Sequence, residues 1–110
     1  MTVYYSVEIQ MSGMNKTDEI ISQVASTLGA TKENVYEQED HSATIFFKSE
    51  CKPTEMRERV KRCLQDSKTI HYIDVVYRWE MEMTPDRFVY WSDGMVQEYT
   101  GKIIFEEDRF

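Results

Sequence analysis

A long alternation of apolar and polar residues, IDVVYRWEMEM at positions 73–83, is the feature that most constrains how this chain folds. Successive side chains of a β-strand point to opposite faces, so the alternation predicts a strand with one buried face. We expect the strand to run from about Thr69 to Met83, a length of about 50 Å at 3.3 Å a residue. Because this is too long to pair within a four-stranded core, the half from Arg78 onward is predicted to pair with a further hairpin.

Other segments have the same period of two and are interrupted by turn-forming residues. Apolar residues alternate with polar ones from Val3 to Met11 and predict the first strand. The polar Glu39-Asp40-His41 separates two shorter β-prone runs, and Asp93-Gly94 is a strong signal for a two-residue hairpin turn. The remaining predicted strands are Asn34 to Gln38, Ser42 to Lys48, Arg87 to Trp91, Met95 to Tyr99 and Lys102 to Glu106.

Two segments instead have the spacing of amphipathic helices. The first is predicted to begin after Asn15, a suitable N-cap, and to end at Gly29, with apolar residues at helical spacing between them. The second is predicted to begin at Pro53, which suits the first turn of a helix, and to end within residues 65–68.

The order strand, helix, hairpin, helix, strand is that of the ferredoxin-like βαββαβ architecture, in which two helices cover one face of an antiparallel sheet. The prediction is therefore a single α+β domain over residues 1–110, with a core of about residues 1–78. A C-terminal β-hairpin extension, about residues 79–106, is added to that plan.

Length and composition favour a soluble domain. A chain of 110 residues can bury one core without disulfides or metals, and its longest apolar runs are far shorter than a membrane span. The N-terminus MTVYYSVEIQ lacks the pattern of a signal peptide, so we expect a cytoplasmic protein. Cys51 and Cys63 are too far apart along the second helix to pair, and we expect reduced thiols.

Motifs for catalysis are missing, which predicts a non-enzymatic protein without a cofactor or metal. The four glycines are too dispersed for a phosphate-binding loop, and no hydrolase, zincin or C-x-x-C motif occurs. Glu80 and Glu82 share one predicted strand face and form a carboxylate pair, which we interpret as a solvated face. Cys51 beside Lys52 is the one thiol with a feature that favours slight activation.

Charge is unevenly distributed along the chain, whose formal net charge is −7. Lys and Arg number three against seven acids in residues 1–48, seven against five in residues 49–78, and three against eight in residues 79–110. A negative field disfavours nucleic acid and anionic membranes as partners and favours proteins with basic surfaces.

The acidic C-terminal third is also rich in aromatic residues, which are enriched at interface hot spots. The leading hypothesis is a small inhibitor, antitoxin or immunity-type protein, including phage-type anti-defence proteins such as an anti-CRISPR-like inhibitor of a nucleic-acid-binding enzyme. We expect an exposed hairpin with carboxylates around its aromatic rings to carry the binding. The candidate partner-binding residues are Glu80, Glu82, Asp86, Phe88, Tyr90, Trp91, Asp93 and Glu98.

The alternative hypothesis is an RNA- or DNA-binding module. The second helix carries a basic cluster whose candidate nucleic-acid-binding residues are Arg57, Arg59, Lys61 and Arg62. Tyr4, Phe46 and Tyr72 are expected on the sheet face away from the helices, where aromatic rings can stack on bases. Since Glu8 and Asp74 would repel phosphates there, we expect this face to be covered by the C-terminal hairpin or by a second copy in a homodimer.

Overall fold

The computed structural model describes residues 2–12, 17–30, 35–39, 41–92 and 96–99, with the backbone alone described for 35–39 and 96–99. It has the predicted α+β class, with an antiparallel sheet and two helices. In chain order the elements are β1 (Val3–Met11), α1 (Thr17–Leu28), β2 (Val35–Glu39), β3 (Ser42–Ser49), α2 (Pro53–Asp66), β4 (Ile70–Trp79), β5 (Asp86–Trp91) and β6 (Val96–Tyr99).

The sheet has the strand order β2-β3-β1-β4-β5-β6, and all neighbouring strands are antiparallel. β1 lies between β3 and β4 and pairs with both along almost its whole length. Each helix connects two strands that have one other strand between them, β1 with β2 and β3 with β4. The middle of the sheet is therefore built from segments that are distant in sequence.

One face of the sheet is covered by the helices and forms the core. Pairing aligns Tyr5 with Phe47 and Tyr77, and Val7 with Ile45 and Val75, so these side chains share one face. Both helices direct their apolar stripes at that face, because residues three and four apart lie on one side of a helix. The buried helix residues are Ile21, Val24, Ala25, Leu28, Pro53, Met56, Val60 and Cys63.

A side chain from α2 joins the two helices at the end of α1. Gly29 has a φ of +82°, the left-handed conformation that ends many helices, and the guanidinium of Arg59 lies close beside it. Nη1 of Arg59 donates a hydrogen bond to the Leu28 carbonyl at 3.1 Å, and Nη2 lies 3.3 Å from the Glu55 carboxylate. The cation satisfies a carbonyl that the helix itself leaves without a donor.

The predicted strand from Thr69 to Met83 is too long by four residues at its C-terminal end. β4 ends at Trp79, and the backbone amide of Glu82 donates to the Trp79 carbonyl at 2.9 Å, which closes a turn. The pairing prediction was also wrong. Arg78 lies opposite Tyr4 of β1, and β5 pairs with the earlier part of β4 instead.

The other predicted boundaries agree with the structure to within one or two residues wherever they can be compared. β2 runs one residue further than expected, and His41, which follows it, has a φ of 67° in an exposed turn. Asn15, Asp93-Gly94 and the predicted strand Lys102 to Glu106 lie outside the described residues.

Phe88 provides a direct test of how far the core extends into β5. Its side chain is fully buried, with ring centroids 5.3 Å from Tyr90 and 6.0 Å from Tyr77. Phe88→Ala should lower the free energy of unfolding by about 3–5 kcal/mol, because it removes buried surface and leaves a cavity. Urea denaturation followed by circular dichroism measures this change.

The matched control is Met83→Ala, since the Met83 side chain is 91% exposed. That substitution should change the free energy of unfolding by no more than about 0.5 kcal/mol. If Phe88→Ala were as mild as Met83→Ala, β5 would not contribute to the core.

Candidate functional site: an exposed methionine loop

The loop between β4 and β5, residues 80–85, carries two large apolar side chains in solvent. Met81 is 81% exposed and Met83 is 91% exposed, and no other large hydrophobic residue in the described parts of the chain is comparably exposed. Glu80 and Glu82 alternate with them and are also exposed. We call residues 80–85 the methionine loop.

Backbone hydrogen bonds hold the first half of the methionine loop in one conformation. The amide of Glu80 donates to the Thr2 carbonyl at 3.0 Å, which ties the loop to the residue before β1. The Glu82 amide donates to Trp79, as described above. The two glutamates are therefore presented by an ordered turn.

Arg78, the penultimate residue of β4, also binds the backbone of this turn. Its Nη1 lies 3.5 Å from the carbonyl oxygens of both Glu80 and Glu82, to which it donates. The guanidinium carbon also lies 4.4 Å from the centre of the Tyr4 ring, within the range of a cation–π contact. A rigid planar cation is thus placed between an aromatic ring and the loop backbone.

The carboxylates predicted to bind a partner are only partly brought together. Glu80 and Glu82 lie in the methionine loop, and Asp86 begins β5 three residues beyond Met83 and is half-buried. Asp93 and the side chain of Glu98 lie outside the described residues.

The expectation that β5 exposes its aromatic rings is wrong for two of the three. Phe88 and Tyr90 are buried on the helix side, because the pairing of β5 with β4 aligns them with Val75 and Ile73. Neither ring is exposed at the protein surface. Trp91 is half-buried on the opposite face, where its ring lies 4.7 Å from that of Tyr72.

That opposite face of the sheet contains Tyr4, Phe46 and Tyr72, as the alternation predicts. It also contains an ion pair that was not foreseen, in which Nε and Nη2 of the partly exposed Arg87 donate to the two oxygens of the buried Asp74 at 2.9 and 2.7 Å. The two residues come from neighbouring strands, so no local pattern reveals the pair.

Polar groups on this face differ in whether they form hydrogen bonds. The Tyr72 hydroxyl donates to the Glu8 carboxylate at 3.4 Å, and burial is the main cause of the raised pKa of Tyr72. Within the described residues, Ser6 Oγ and Trp91 Nε1 are buried and have no hydrogen-bond partner. Both atoms lie beneath neighbouring side chains, so neither forms an open site.

Most of the basic side chains of α2 contact other residues of this chain. The Arg57 guanidinium lies 5.1 Å from the centre of the Phe88 ring, and the Lys61 ammonium lies 5.4 Å from the centre of Tyr90. Lys61 also pairs with Glu58 at 3.3 Å, while Arg59 holds the end of α1. Arg62 is exposed.

The two cysteines are reduced and buried, in agreement with the sequence. Burial raises the pKa of Cys63 to about 11, with the Thr27 hydroxyl opposing the shift, and burial also raises the pKa of Cys51. The suggestion that Lys52 slightly activates Cys51 is therefore wrong, because the loss of solvent raises the pKa of Cys51 by more than the positive charge of Arg59 lowers it.

Among the residues that the structure describes, no group of three His, Cys, Asp or Glu side chains is arranged to hold a metal ion. No helix in the described ranges is both long and apolar enough to cross a membrane. The chain matches no protein-family model, no curated protein and no solved structure.

The support of the methionine loop by Arg78 can be tested through amide exchange. Arg78→Met keeps an unbranched side chain over Tyr4 but removes the donors to the two loop carbonyls. We expect hydrogen–deuterium exchange of the Glu82 amide, measured by NMR, to accelerate about fivefold, the effect of losing about 1 kcal/mol of local stability. Arg62→Met, a substitution at an exposed position of α2, should leave the exchange rate of the Glu82 amide unaltered. Equal exchange rates in the two variants would contradict the role of Arg78 in supporting the loop.

Burial of Cys63 predicts a loss of stability at alkaline pH. Because the folded protein holds the thiol proton more tightly than the unfolded chain, its contribution is complete below pH 9 and is lost as pH rises from about 9 to 11. We expect the free energy of unfolding to fall by up to about 2 kcal/mol from this group. Cys63→Ala should be less stable at pH 7 but should fall less steeply over that range, and an unchanged slope would contradict the prediction.

Proposed function

We propose that this chain is a protein-binding module of the inhibitor, antitoxin or immunity class, and that the methionine loop is its principal contact with the partner. The observation that carries the proposal is the exposure of Met81 and Met83 side by side on an ordered turn. Leaving both in water has no benefit to the isolated fold. Burying each in a partner would contribute about 1.5–3 kcal/mol.

Methionine suits this role because its unbranched, polarisable side chain adapts to irregular apolar surfaces. The ordered turn beneath it reduces the conformational entropy that binding must remove. Arg78 and the Thr2 carbonyl supply that order without occupying the exposed tips of the loop.

Charge indicates the kind of partner. Glu80 and Glu82 alternate with the two methionines, and the whole chain has a net charge of −7. A partner with an apolar patch surrounded by Lys or Arg would be attracted by this field and would fit the loop. Cytoplasmic enzymes that bind nucleic acids have surfaces of this kind, so blocking such an enzyme is the activity that we favour.

We assign β1 to β4 and the two helices to the ferredoxin-like architecture, with β5 and β6 as its C-terminal extension. The support for this assignment is the position of β1 between β3 and β4 and the helical connections on one face. The architecture itself carries no function, which depends on the loops and surfaces built on it.

Direct nucleic-acid binding is less well supported. Arg57, Arg59 and Lys61 already contact rings, a carbonyl or carboxylates of this chain. Their release to phosphates would uncover Phe88 and Tyr90 and remove the connection between the helices.

Affinity capture from the native host followed by mass spectrometry identifies the partner, and calorimetry with the purified partner then tests the surface. The double variant Met81→Ala/Met83→Ala should weaken binding by at least about tenfold, since it removes both apolar anchors. Glu80→Gln/Glu82→Gln should slow association and reduce its dependence on salt, with a smaller change in affinity.

Trp91→Phe serves as the matched control, because Trp91 lies at the far end of β5 and on the sheet face away from the helices. It should bind as the unmodified chain does. A partner that is lost with Trp91→Phe but retained by the double methionine variant would show that the methionine loop is not the contact.

A further inference from the structure

A groove lies between α1 and the C-terminal part of α2 and reaches the start of β4, away from the methionine loop. It has a volume of about 580 Å³, within the range of about 300–1,000 Å³ that ligand sites occupy. Its lining includes Ile70 at the start of β4, whereas the methionine loop follows Trp79 at the other end of that strand. The two surfaces are therefore separated by the length of β4.

The floor of the groove is apolar. Val24, Cys63 and Ile70 are buried beneath it, and Ile20 is partly buried against the core. No titrating group of the floor is charged near neutral pH, because burial keeps Cys63 in its thiol form.

The rim has a different chemistry, because it carries hydroxyl groups and two acids. α1 contributes Glu19, Ser22 and Ser26, whose spacing of three and four residues places them along one side of the helix. Asp66, the last residue of α2, faces them across the groove. Two carboxylates and no Lys or Arg line this groove.

The shape of the groove favours one kind of occupant. It is partly open to solvent, so a small molecule would keep part of its surface in water, unlike ligands of enclosed pockets. A helix needs to bury only one apolar stripe, and helix-in-groove recognition provides that geometry. The acidic rim would then pair with cations on either side of the stripe.

We propose that the α1–α2 groove binds an amphipathic helix of a partner protein, whose apolar stripe is flanked by Lys or Arg. This is a second interaction surface, and it does not depend on the methionine loop. The apolar residues of the stripe contact the floor, and the basic residues pair with Glu19 and Asp66.

The probe is a fluorescein-labelled helical peptide of leucine and lysine, about 14 residues long, with all leucines on one face. Binding is measured by anisotropy at low salt, and a peptide of equal charge with serine in place of leucine is the first control. We expect saturable binding of the leucine peptide and at least about tenfold weaker binding of the serine peptide. No binding of the leucine peptide up to about 1 mM would overturn the proposal.

Three variants locate the site. Ser26→Trp, an exposed position on the rim, places a bulky ring across the groove and should weaken binding by about tenfold or more. Glu19→Gln/Asp66→Asn should weaken binding and reduce its salt dependence. Glu50→Gln/Glu58→Gln makes the same change of net charge at two exposed positions that belong neither to the groove lining nor to the methionine loop, and it should leave affinity within about twofold.

Thermal unfolding confirms that each variant is folded before it is compared. Equal losses in the two charge variants would mean that the peptide responds to net charge alone and would refute the groove. Unchanged affinity of Ser26→Trp would do the same. Since Met81 and Met83 are intact in every variant, neither outcome bears on the methionine loop.

Discussion

The central position of β1 is the constraint on which the rest of this structure depends. β1 exchanges backbone hydrogen bonds with β3 on one side and β4 on the other, which places it in the middle of the sheet beneath the helices. Its helix-facing side chains are all buried, and they are Val3, Tyr5, Val7, Ile9 and Met11. The same register brings the start of β1 beside the end of β4. Thr2 and Tyr4 can therefore support a loop that is almost eighty residues away in sequence.

The alternation of side chains predicted the faces of the strands better than it predicted their ends. Tyr4, Phe46 and Tyr72 share the face away from the helices, because parity along a strand is a local property. The end of β4 could not be obtained in this way. Residues 80–83 continue the alternation of polar and apolar residues, a pattern that fits an exposed loop as well as a half-exposed strand. The hydrogen bond from the Glu82 amide to the Trp79 carbonyl shows that the chain turns there.

The placement of the β5 aromatics shows a second limit of sequence reasoning. Phe88 and Tyr90 alternate with Val89 and Trp91, so either pair satisfies the pattern of a half-buried strand. The choice between them depends on the register of β5 against β4, and on whether α2 is long enough to cover β5. α2 does cover β5, since the cations of Arg57 and Lys61 lie over the buried rings of Phe88 and Tyr90. In the sequence, however, these two cations resemble members of an ordinary solvated cluster.

The contacts of these cations within the chain also bear on the acidic surface that we propose for partner binding. Arg57, Arg59 and Lys61 are held against rings, carbonyls and carboxylates of the helix layer, where their fields are partly compensated. The positive charge of Arg87 is likewise compensated by the buried carboxylate of Asp74. Glu80 and Glu82 project from a loop into water, so a basic surface approaching this end of the sheet meets carboxylates before it meets any of those cations. In the proposed complex, attraction over distance and apolar contact at close range would act at the same place, because Glu80 and Glu82 alternate with Met81 and Met83 along the loop.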